Sequence, residues 1–253
     1  MEKIITERLK EIEKKENIHI LTAVESGSRA WGFSSPDSDY DVRFIYIRSE
    51  EDYLRLEPFR DVIELPPDGV LDINGWDLRK TLKLLYKSNP ALAEWLFSPI
   101  VYAGDGFRQK LGSVMGDYFS PKRGVYHYLG MATGNYRKYL KGEMVRAKKY
   151  FYVLRPILAC RWIMDKETSP PVRFSELADE ELPKELRKDV KSLLDLKINY
   201  PEMKEIKRID KINEYIEASI ISIRDNINYF DDIPKPDWKR LNDFFVSELQ
   251  YLY

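Results

Sequence analysis

Hydrophobic and polar residues follow two different periods in the first part of the chain. Apolar positions recur at helical spacing from residue 2 to about 15, which predicts an amphipathic helix. The stretch 18–25 is apolar, partly β-branched and stopped by Ser-Gly-Ser, so it predicts a strand. Further strands are predicted at 42–47 and 71–74, and a helix at 77–88 ends before Asn-Pro. This order of elements predicts an α/β arrangement.

The pattern changes near Ser120-Pro121 and is almost wholly helical from there onward. Helices are predicted at about 121–141, 144–165, 183–197, 202–229 and 236–252. Two proline-containing loops separate some of these helices. We therefore expect an α+β chain in which an N-terminal α/β domain, residues 1–118, is followed by a C-terminal helical domain, residues 119–253.

Chain length indicates the number of domains, and net charge limits how a nucleic acid could bind. The chain has 253 residues, which is enough for one large domain or two intimate ones. Its formal net charge is −1, so no global field attracts nucleic acid. A nucleic-acid partner would therefore have to meet a local basic patch.

Cysteine usage and apolar runs favour a cytoplasmic protein without a membrane partner. Cys160 is the one cysteine and lies in the apolar run ILACRWI, which favours an inert core thiol in a reducing compartment. The first residues, MEKIITERLKEIEKKE, are charged throughout and do not resemble a signal peptide. No apolar run approaches the roughly 20 residues that span a bilayer.

The most informative stretch is SGSRAWGFSSPDSDYDVRF, residues 26–44. Ser26-Gly27-Ser28 follows a predicted strand, where free backbone N–H groups form an anion site and glycine permits close approach of a phosphate. The Ser28 hydroxyl adds a donor and Arg29 adds a positive charge. This part of the stretch predicts an anion cradle.

Two aspartates follow the cradle at alternating positions. Asp39 and Asp41 would point the same way in a strand and would repel each other unless a cation lies between them. Oxygen ligands of this kind suit Mg²⁺. Arg43 continues the same face, either as a salt-bridge partner or as a ligand for a phosphate oxygen. A Gly-Ser turn and an Asp-x-Asp are each common, but together in this order they suit a nucleoside triphosphate bound to Mg²⁺.

These residues resemble the signature of the DNA polymerase β-like nucleotidyltransferase superfamily, a Gly-Ser at the end of one strand and an Asp-x-Asp leading into the next. One branch of that superfamily, known as predicted nucleotidyltransferases and in part labelled RNA-repair-pathway proteins, is similar over about residues 24–165. The matching sequence segments are ESGSRAWGF, SDYDVR, DINGWDLRK, NP-x-x-x-EWL-x-SPIVY and KKYFYVLRP-x-LA-x-RWI.

The resemblance implies a fold, a reaction and a third carboxylate. The fold is a mixed sheet with helices, and the reaction moves a nucleoside monophosphate from a triphosphate such as ATP, with release of pyrophosphate. Asp72 in VLDIN matches the third carboxylate, and Asp77, at the start of a helix where capping is expected, is its competitor. Two Mg²⁺ ions would be bridged by Asp39 and Asp41, and one of them would also need Asp72.

The helical half supplies cations. Between residues 137 and 161 there are eight basic residues and a single acid, Glu143, with tyrosines interleaved. Lys148, Tyr152 and Arg155 share one helix face, which would clamp a triphosphate or bind an RNA end, although such a charge run is also typical of a solvated helix face.

The acceptor is open at the level of sequence. We expect a Mg²⁺-dependent nucleotidyltransferase that acts on an RNA end, for example of tRNA. A protein hydroxyl or a small-molecule hydroxyl is the alternative acceptor, and a non-catalytic module that binds nucleotide or RNA is the third hypothesis. RNA binding predicts a basic channel and an affinity that falls steeply with salt.

Overall fold

The computed structural model describes residues 1–66, 68–199, 205–230 and 236–252. The helices are α1 (Glu2–Glu16), α2 (Gly27–Ala30), α3 (Glu50–Leu54), α4 (Leu78–Tyr86), α5 (Pro90–Leu96), α6 (Asp105–Met115), α7 (Pro121–Tyr139), α8 (Ala147–Lys166), α9 (Phe174–Glu181), α10 (Arg187–Asn199), α11 (Asp210–Asn226) and α12 (Lys239–Leu252). The strands are β1 (His19–Ser26), β2 (Tyr40–Ile47), β3 (Val62–Glu64), β4 (Leu71–Asp77), β5 (Val101–Ala103), β6 (Met144–Arg146) and β7 (Glu205–Lys207).

The chain divides into two compact units. The sheet unit comprises Met1–Gly27, Asp39–Tyr118 and Pro234–Tyr253, and the helical unit comprises Ser28–Ser38 and Phe119–Ile233. The division at residue 118 is where the sequence pattern changes. Two segments depart from the expected ranges, because 28–38 belongs to the helical unit and 234–253 to the sheet unit.

The sheet unit is built on a five-stranded mixed sheet in the order β3-β4-β2-β1-β5. Strands β2 and β4 are parallel, and the other neighbouring pairs are antiparallel. This arrangement confirms the expected α+β class. The predicted strands at 42–47 and 71–74 are both longer in the structure, since pairing extends β2 to Tyr40 and β4 to Asp77.

Alternation along β2 sends side chains to two different cores. Phe44 and Tyr46 pack with Ile5 and Leu9 of α1, whereas Ile45 belongs to a separate cluster formed with α4, α5, α6 and α12. Since successive strand residues point to opposite faces, Asp41 and Arg43 lie on the face opposite α1. The amphipathic pattern of residues 2–15 is thus explained by the packing of the apolar side of α1 against one face of the sheet.

Helix α12 completes the second core of the sheet unit. Leu241 and Phe244 are buried in the cluster that contains Leu111 of α6. Just before the helix, the Trp238 ring stacks on Tyr86 at a centroid distance of 3.7 Å. These contacts explain why the last described residues join a sheet formed by the start of the chain.

The helical unit is centred on the paired helices α7 and α8. Leu154, Ile157 and Cys160 of α8 are fully buried in its core. Burial raises the pKa of the Cys160 thiol, which agrees with the expected inert core cysteine. The segment 28–38 joins this unit because Phe33 packs in the same core and the Phe174 N–H donates to the Trp31 carbonyl at 2.9 Å.

Three details of the helical half differ from the sequence prediction. Residues 144–146 pair with 205–207 as a short antiparallel ribbon, where the pattern predicted helix. The helix predicted at about 202–229 begins at Asp210, and residues 202–204 lie outside the described part of the chain. Helix α9 was not predicted. Among the described residues, no helix is long and apolar enough to cross a membrane.

Candidate functional site

The chain leaves β1 through a turn that only glycine fits. Gly27 has φ +59°, a left-handed conformation that side chains rarely adopt. A Cβ atom added at Gly27 would lie 2.0 Å from Asp41 Oδ2. The Gly-Ser motif and the second aspartate of the Asp-x-Asp are therefore in direct contact, so the carboxylate of Asp41 is a reason for the glycine.

Asp41 and Asp72 lie side by side on neighbouring strands. They are register partners in the parallel pair β2–β4, where adjacent strands run about 4.8 Å apart. Arg43 Nη2 donates to Asp41 Oδ1 at 3.1 Å and to Asp72 Oδ2 at 2.8 Å. The same-face expectation for Asp41 and Arg43 is confirmed, and one guanidinium nitrogen serves both carboxylates.

Asp72 is oriented by further contacts within the sheet. Asn74 Nδ2 donates to Asp72 Oδ1 at 2.7 Å. Arg43 Nη1 also donates to the Asp72 backbone carbonyl at 2.9 Å. Both carboxylate oxygens of Asp72 are thereby engaged, which fixes the direction of this side chain.

Asp77, the competing third carboxylate, has a structural role. Its Oδ1 accepts the Arg79 N–H at 2.8 Å as the N-cap of α4, and its Oδ2 accepts the Tyr53 hydroxyl at 2.9 Å. Burial raises the pKa of Asp77, and the hydrogen bonds from Tyr53 and Arg79 offset part of that effect. The geometry therefore favours Asp72 over Asp77 as the partner of Asp41.

Glu25 is a site residue that the sequence reasoning missed. It is fully buried at the end of β1, and its Oε1 accepts the backbone N–H of Asp41 at 2.7 Å. The Tyr102 hydroxyl donates to Glu25 Oε2. The Glu25 side chain thus supplies the acceptor for the Asp41 N–H at the end of β1, in place of a backbone carbonyl. Its place between an apolar strand and Ser-Gly-Ser was the one available signal.

Asp39 precedes β2, and its side chain is exposed. Strand alternation therefore does not extend to it. In the part of the chain that the structure describes, no group of three or more His, Cys, Asp or Glu side chains is arranged to hold a metal ion. What the sheet unit provides is a pair, Asp41 and Asp72, whose oxygens converge on one cationic nitrogen.

The residues of the predicted anion cradle continue into the helical unit. Ser28 and Arg29 belong to α2, and Arg29 Nη2 donates to the Ser38 carbonyl at 2.7 Å. Lys197, which is buried, donates to Ser35 Oγ at 2.8 Å and to Ser38 Oγ at 3.3 Å. The turn that leads directly to Asp39 in the sequence is therefore fixed by two basic side chains, of which Lys197 carried no sequence signal.

The predicted clamp of Lys148, Tyr152 and Arg155 is only partly accessible. Lys148 and Tyr152 are half-buried. Arg155 is 1% exposed; its guanidinium lies 4.7 Å from the centre of the Trp31 ring and donates to the Val172 carbonyl. A buried guanidinium has no surface to offer a phosphate, so Arg155 is corrected from a clamp residue to a packing residue in this conformation.

A mixed sheet with paired aspartates beside a Gly-Ser turn is the arrangement expected of a polymerase β-like nucleotidyltransferase. The chain belongs to RlaP, the RNA repair pathway DNA polymerase beta family, whose model matches residues 1–247. This match confirms the family resemblance and extends it well beyond residue 165. Membership indicates nucleotidyl transfer as the class of reaction.

Individual proteins similar to the chain include one sequence relative and one solved structure. The chain is 49% identical over 256 residues to the uncharacterized protein YcgL of Bacillus subtilis (strain 168). The match covers 100% of this chain and 98% of that protein. A crystal structure of a nucleotidyltransferase-like protein from Exiguobacterium sibiricum 255-15 matches with 10% identity and a TM-score of 0.31, over 89% of this chain and 75% of that chain.

Proposed function

We propose that the protein is a divalent-metal-dependent nucleotidyltransferase that transfers a nucleoside monophosphate from a triphosphate to a hydroxyl at an RNA end. The observation that carries the proposal is the register of β2 and β4, which sets Asp41 beside Asp72 on one face of the sheet. Two carboxylates at adjacent strand positions repel each other unless a cation is present, and here they already converge on one.

The donor set suits a hard divalent ion. Carboxylate oxygens are the ligands that Mg²⁺ takes, together with water and substrate phosphates. Asp41 and Asp72, with Asp39, would hold such ions, and the family resemblance implies two of them. When bound, the metal supplies neutralisation of the triphosphate and lowers the pKa of the acceptor hydroxyl.

The protein's own side chains position the reacting groups. The acceptor oxygen attacks the α-phosphorus, the bond from that phosphorus to the bridging oxygen breaks, and pyrophosphate leaves. The proton of the hydroxyl passes to the Asp72 carboxylate. Arg43 keeps Asp41 and Asp72 oriented, and a guanidinium beside a phosphate would also stabilise the charge that develops during transfer.

Other residues remain proposed phosphate or nucleotide contacts. Gly27, Ser28 and Arg29 are proposed for the triphosphate because backbone N–H groups at a glycine turn attract anions. Lys148 and Tyr152 are proposed for a phosphate and for the base or ribose. Their support is residue type and partial exposure.

An experiment with labelled triphosphates tests the proposal. The purified protein is incubated with Mg²⁺, each α-³²P-labelled triphosphate, and total RNA or total protein. Asp41→Asn serves as the inactive variant, and Asp179→Asn, an exposed aspartate on α9, is the matched control. We expect label on RNA with the wild type and the control, and none with Asp41→Asn.

The other outcomes are equally informative. Label on a protein band that depends on Asp41 would replace RNA by a protein acceptor and keep the chemistry. Equal labelling by wild type and Asp41→Asn would remove this carboxylate pair from the reaction and overturn the proposal.

A further inference from the structure

Aromatic rings and cations follow one another along one line of contacts in the helical unit. From the inside outward, the members of this cation–aromatic series are Arg155, Trp31, Tyr152, Lys149, Tyr139 and Lys138. The Lys149 ammonium lies between two rings, 4.5 Å from the centre of Tyr152 and 4.1 Å from that of Tyr139. The Lys138 ammonium lies 5.0 Å from Tyr139.

The outer half of the series reaches the surface. Arg155 is buried, whereas Tyr152, Lys149 and Tyr139 are half-buried and Lys138 is exposed. Core packing therefore accounts for the inner end. It leaves two tyrosine rings and two ammonium groups partly accessible at the outer end.

The outer end is a region of concentrated positive charge. A hydrogen bond from Lys138 lowers the pKa of the Tyr139 phenol, and the charges of Lys149, Lys138 and Arg146 lower it further. Burial lowers the pKa of Lys149, and the neighbouring charges of Lys148, Arg146 and Lys138 act in the same direction. The lowered pKa of Tyr139 has the sign expected where cations surround a phenol, whereas the pKa of Lys149 is lowered mainly by burial.

In the part of the chain that the structure describes, acidic side chains do not neutralise these cations. Among the described residues, Lys138, Arg146 and Lys149 form no salt bridge. Glu205 stands opposite Arg146 in the β6–β7 pair, yet no ion pair joins them. Mutual repulsion between neighbouring cations costs stability, and a bound anion would relieve it.

The chemistry that fits is a flexible polyanion with flat bases. Half-exposed rings between cations match the stacking and backbone contacts by which proteins hold single-stranded nucleic acid. A duplex keeps its bases stacked inside and has no use for the rings. A free nucleotide shares the same groups, so the test must separate a strand from a mononucleotide.

We propose that the outer part of the cation–aromatic series, Tyr139 with Lys138, Arg146 and Lys149, binds single-stranded RNA. The role of that strand as the acceptor rests on the proposed function, but the binding itself does not. Lys138, Arg146 and Lys149 contact backbone phosphates, and Tyr139 stacks on a base.

Binding is measured by fluorescence anisotropy of a labelled single-stranded RNA of about ten nucleotides, without triphosphate or metal. The test variant is Lys138→Gln/Lys149→Gln. The matched control is Lys188→Gln/Lys191→Gln, which removes two exposed lysines of α10 and changes the net charge equally. We expect the test variant to bind at least about tenfold more weakly at low salt and its log–log salt slope to shrink by about 1.4. Equal affinities of the two variants would overturn the proposal.

Tyr139→Leu tests the stacking contact while keeping apolar volume against the core. Loss of one stacked base weakens binding by about fivefold or more and leaves the salt slope unchanged. Thermal unfolding of the variant, compared with wild type, checks that the unit is folded. Wild-type affinity in the folded variant would contradict stacking on Tyr139.

Two controls separate the sources of ligand and the two proposals. Mg²⁺-ATP binding should be unchanged in Lys138→Gln/Lys149→Gln; loss of ATP binding with unchanged RNA binding would assign the series to the mononucleotide instead. Asp41→Asn should bind RNA like wild type and transfer nothing. RNA binding that persists while no variant or wild type transfers label would refute the enzyme proposal alone.

Discussion

The two units treat their charges in opposite ways. In the sheet unit, Asp41 and Asp72 share Arg43 at 3.1 and 2.8 Å, and Asn74 and Glu25 hold the surrounding groups. In the helical unit, Lys138, Arg146 and Lys149 crowd around Tyr139 without salt bridges among the described residues. Charges that are paired and hydrogen-bonded give a site fixed geometry, while an unpaired basic patch gives attraction without fixed geometry. The contrast suggests chemistry in the first unit and capture of a polyanion in the second.

The largest expected effect tests which aspartate completes the pair. Asp72→Asn removes a charge beside Asp41 and should lower the rate of nucleotidyl transfer about 100- to 1000-fold. Asp77→Asn makes the same substitution at another aspartate of β4, five residues further along. The Asn oxygen can still cap α4, so the rate of transfer should remain near that of the wild type. Rates with labelled triphosphate measure both. A larger loss in Asp77→Asn than in Asp72→Asn would reverse the assignment.

The next effect tests the contact between the Gly-Ser turn and the Asp-x-Asp. Gly27→Ala would place a Cβ 2.0 Å from Asp41 Oδ2, and displacement of a catalytic group by about 1 Å can cost about 100-fold in rate. Gly32→Ala is the matched control because Gly32 also has positive φ, +85°, but its added Cβ meets nothing within 4 Å. Both substitutions carry roughly 1–2 kcal/mol of left-handed strain.

Thermal unfolding and transfer rates together separate strain from displacement. A rate loss confined to Gly27→Ala, in a variant that is still folded at the assay temperature, would support the contact with Asp41. Equal rates in the two variants would show that the turn does not need to approach Asp41 for catalysis.

A smaller effect tests whether Glu25 positions Asp41. Glu25→Ala leaves the Asp41 N–H without its acceptor and should raise the Mg²⁺ concentration needed for half-maximal transfer by about 10- to 100-fold. Glu25→Gln retains an oxygen acceptor and should restore most of the wild-type dependence. The readout is transfer rate across a Mg²⁺ titration. A Gln variant as impaired as the Ala variant would show that the charge of Glu25, rather than its acceptor, is required.

The sequence predicted the features that local patterns encode. The β1 strand, the Gly-Ser turn and the Asp-x-Asp leading into β2 are contiguous, so their order and spacing are visible without a structure. Asp72 followed from its apolar neighbours in VLDIN and from the family resemblance. The sequence explained the need for glycine at position 27 only in part. The close approach of the Asp41 carboxylate to Gly27 depends on how β1 and β2 pair, which brings together residues 14 positions apart.

Non-local packing determined what the sequence did not predict. Residues 28–38 join the helical unit through Phe33, and α12 joins the sheet unit through Leu241 and Phe244. Neither association has a local signature. The β6–β7 ribbon is three residues long on each side, too short for a strand period to be recognised beside helices. Arg155 looked accessible by helical spacing, and only its contact with Trp31 reveals that it is buried.

The smallest effect concerns stability and pH at Asp77, where charge is buried rather than shared. Burial raises the pKa of this carboxyl above its ordinary value of 3.8, so the folded state binds a proton that the unfolded state releases. The protonated form therefore contributes stability that is fully present below the unfolded pKa and is lost as the pH rises through the folded pKa. The substituted side chain of the Asp77→Asn variant does not titrate, so this pH dependence of stability should be absent from the variant. Asp41 and Asp72 are unchanged in both proteins.

Urea denaturation of wild type and Asp77→Asn at a series of pH values measures the effect. The free energy of unfolding of the wild type should fall, relative to the variant, as the pH rises from below 3.8 through the raised pKa of Asp77. Parallel curves for the two proteins would show that hydrogen bonds from Tyr53 and Arg79 offset the burial completely. In that case the buried carboxylate at the cap of α4 would be as well compensated by hydrogen bonds in the folded state as by water in the unfolded state.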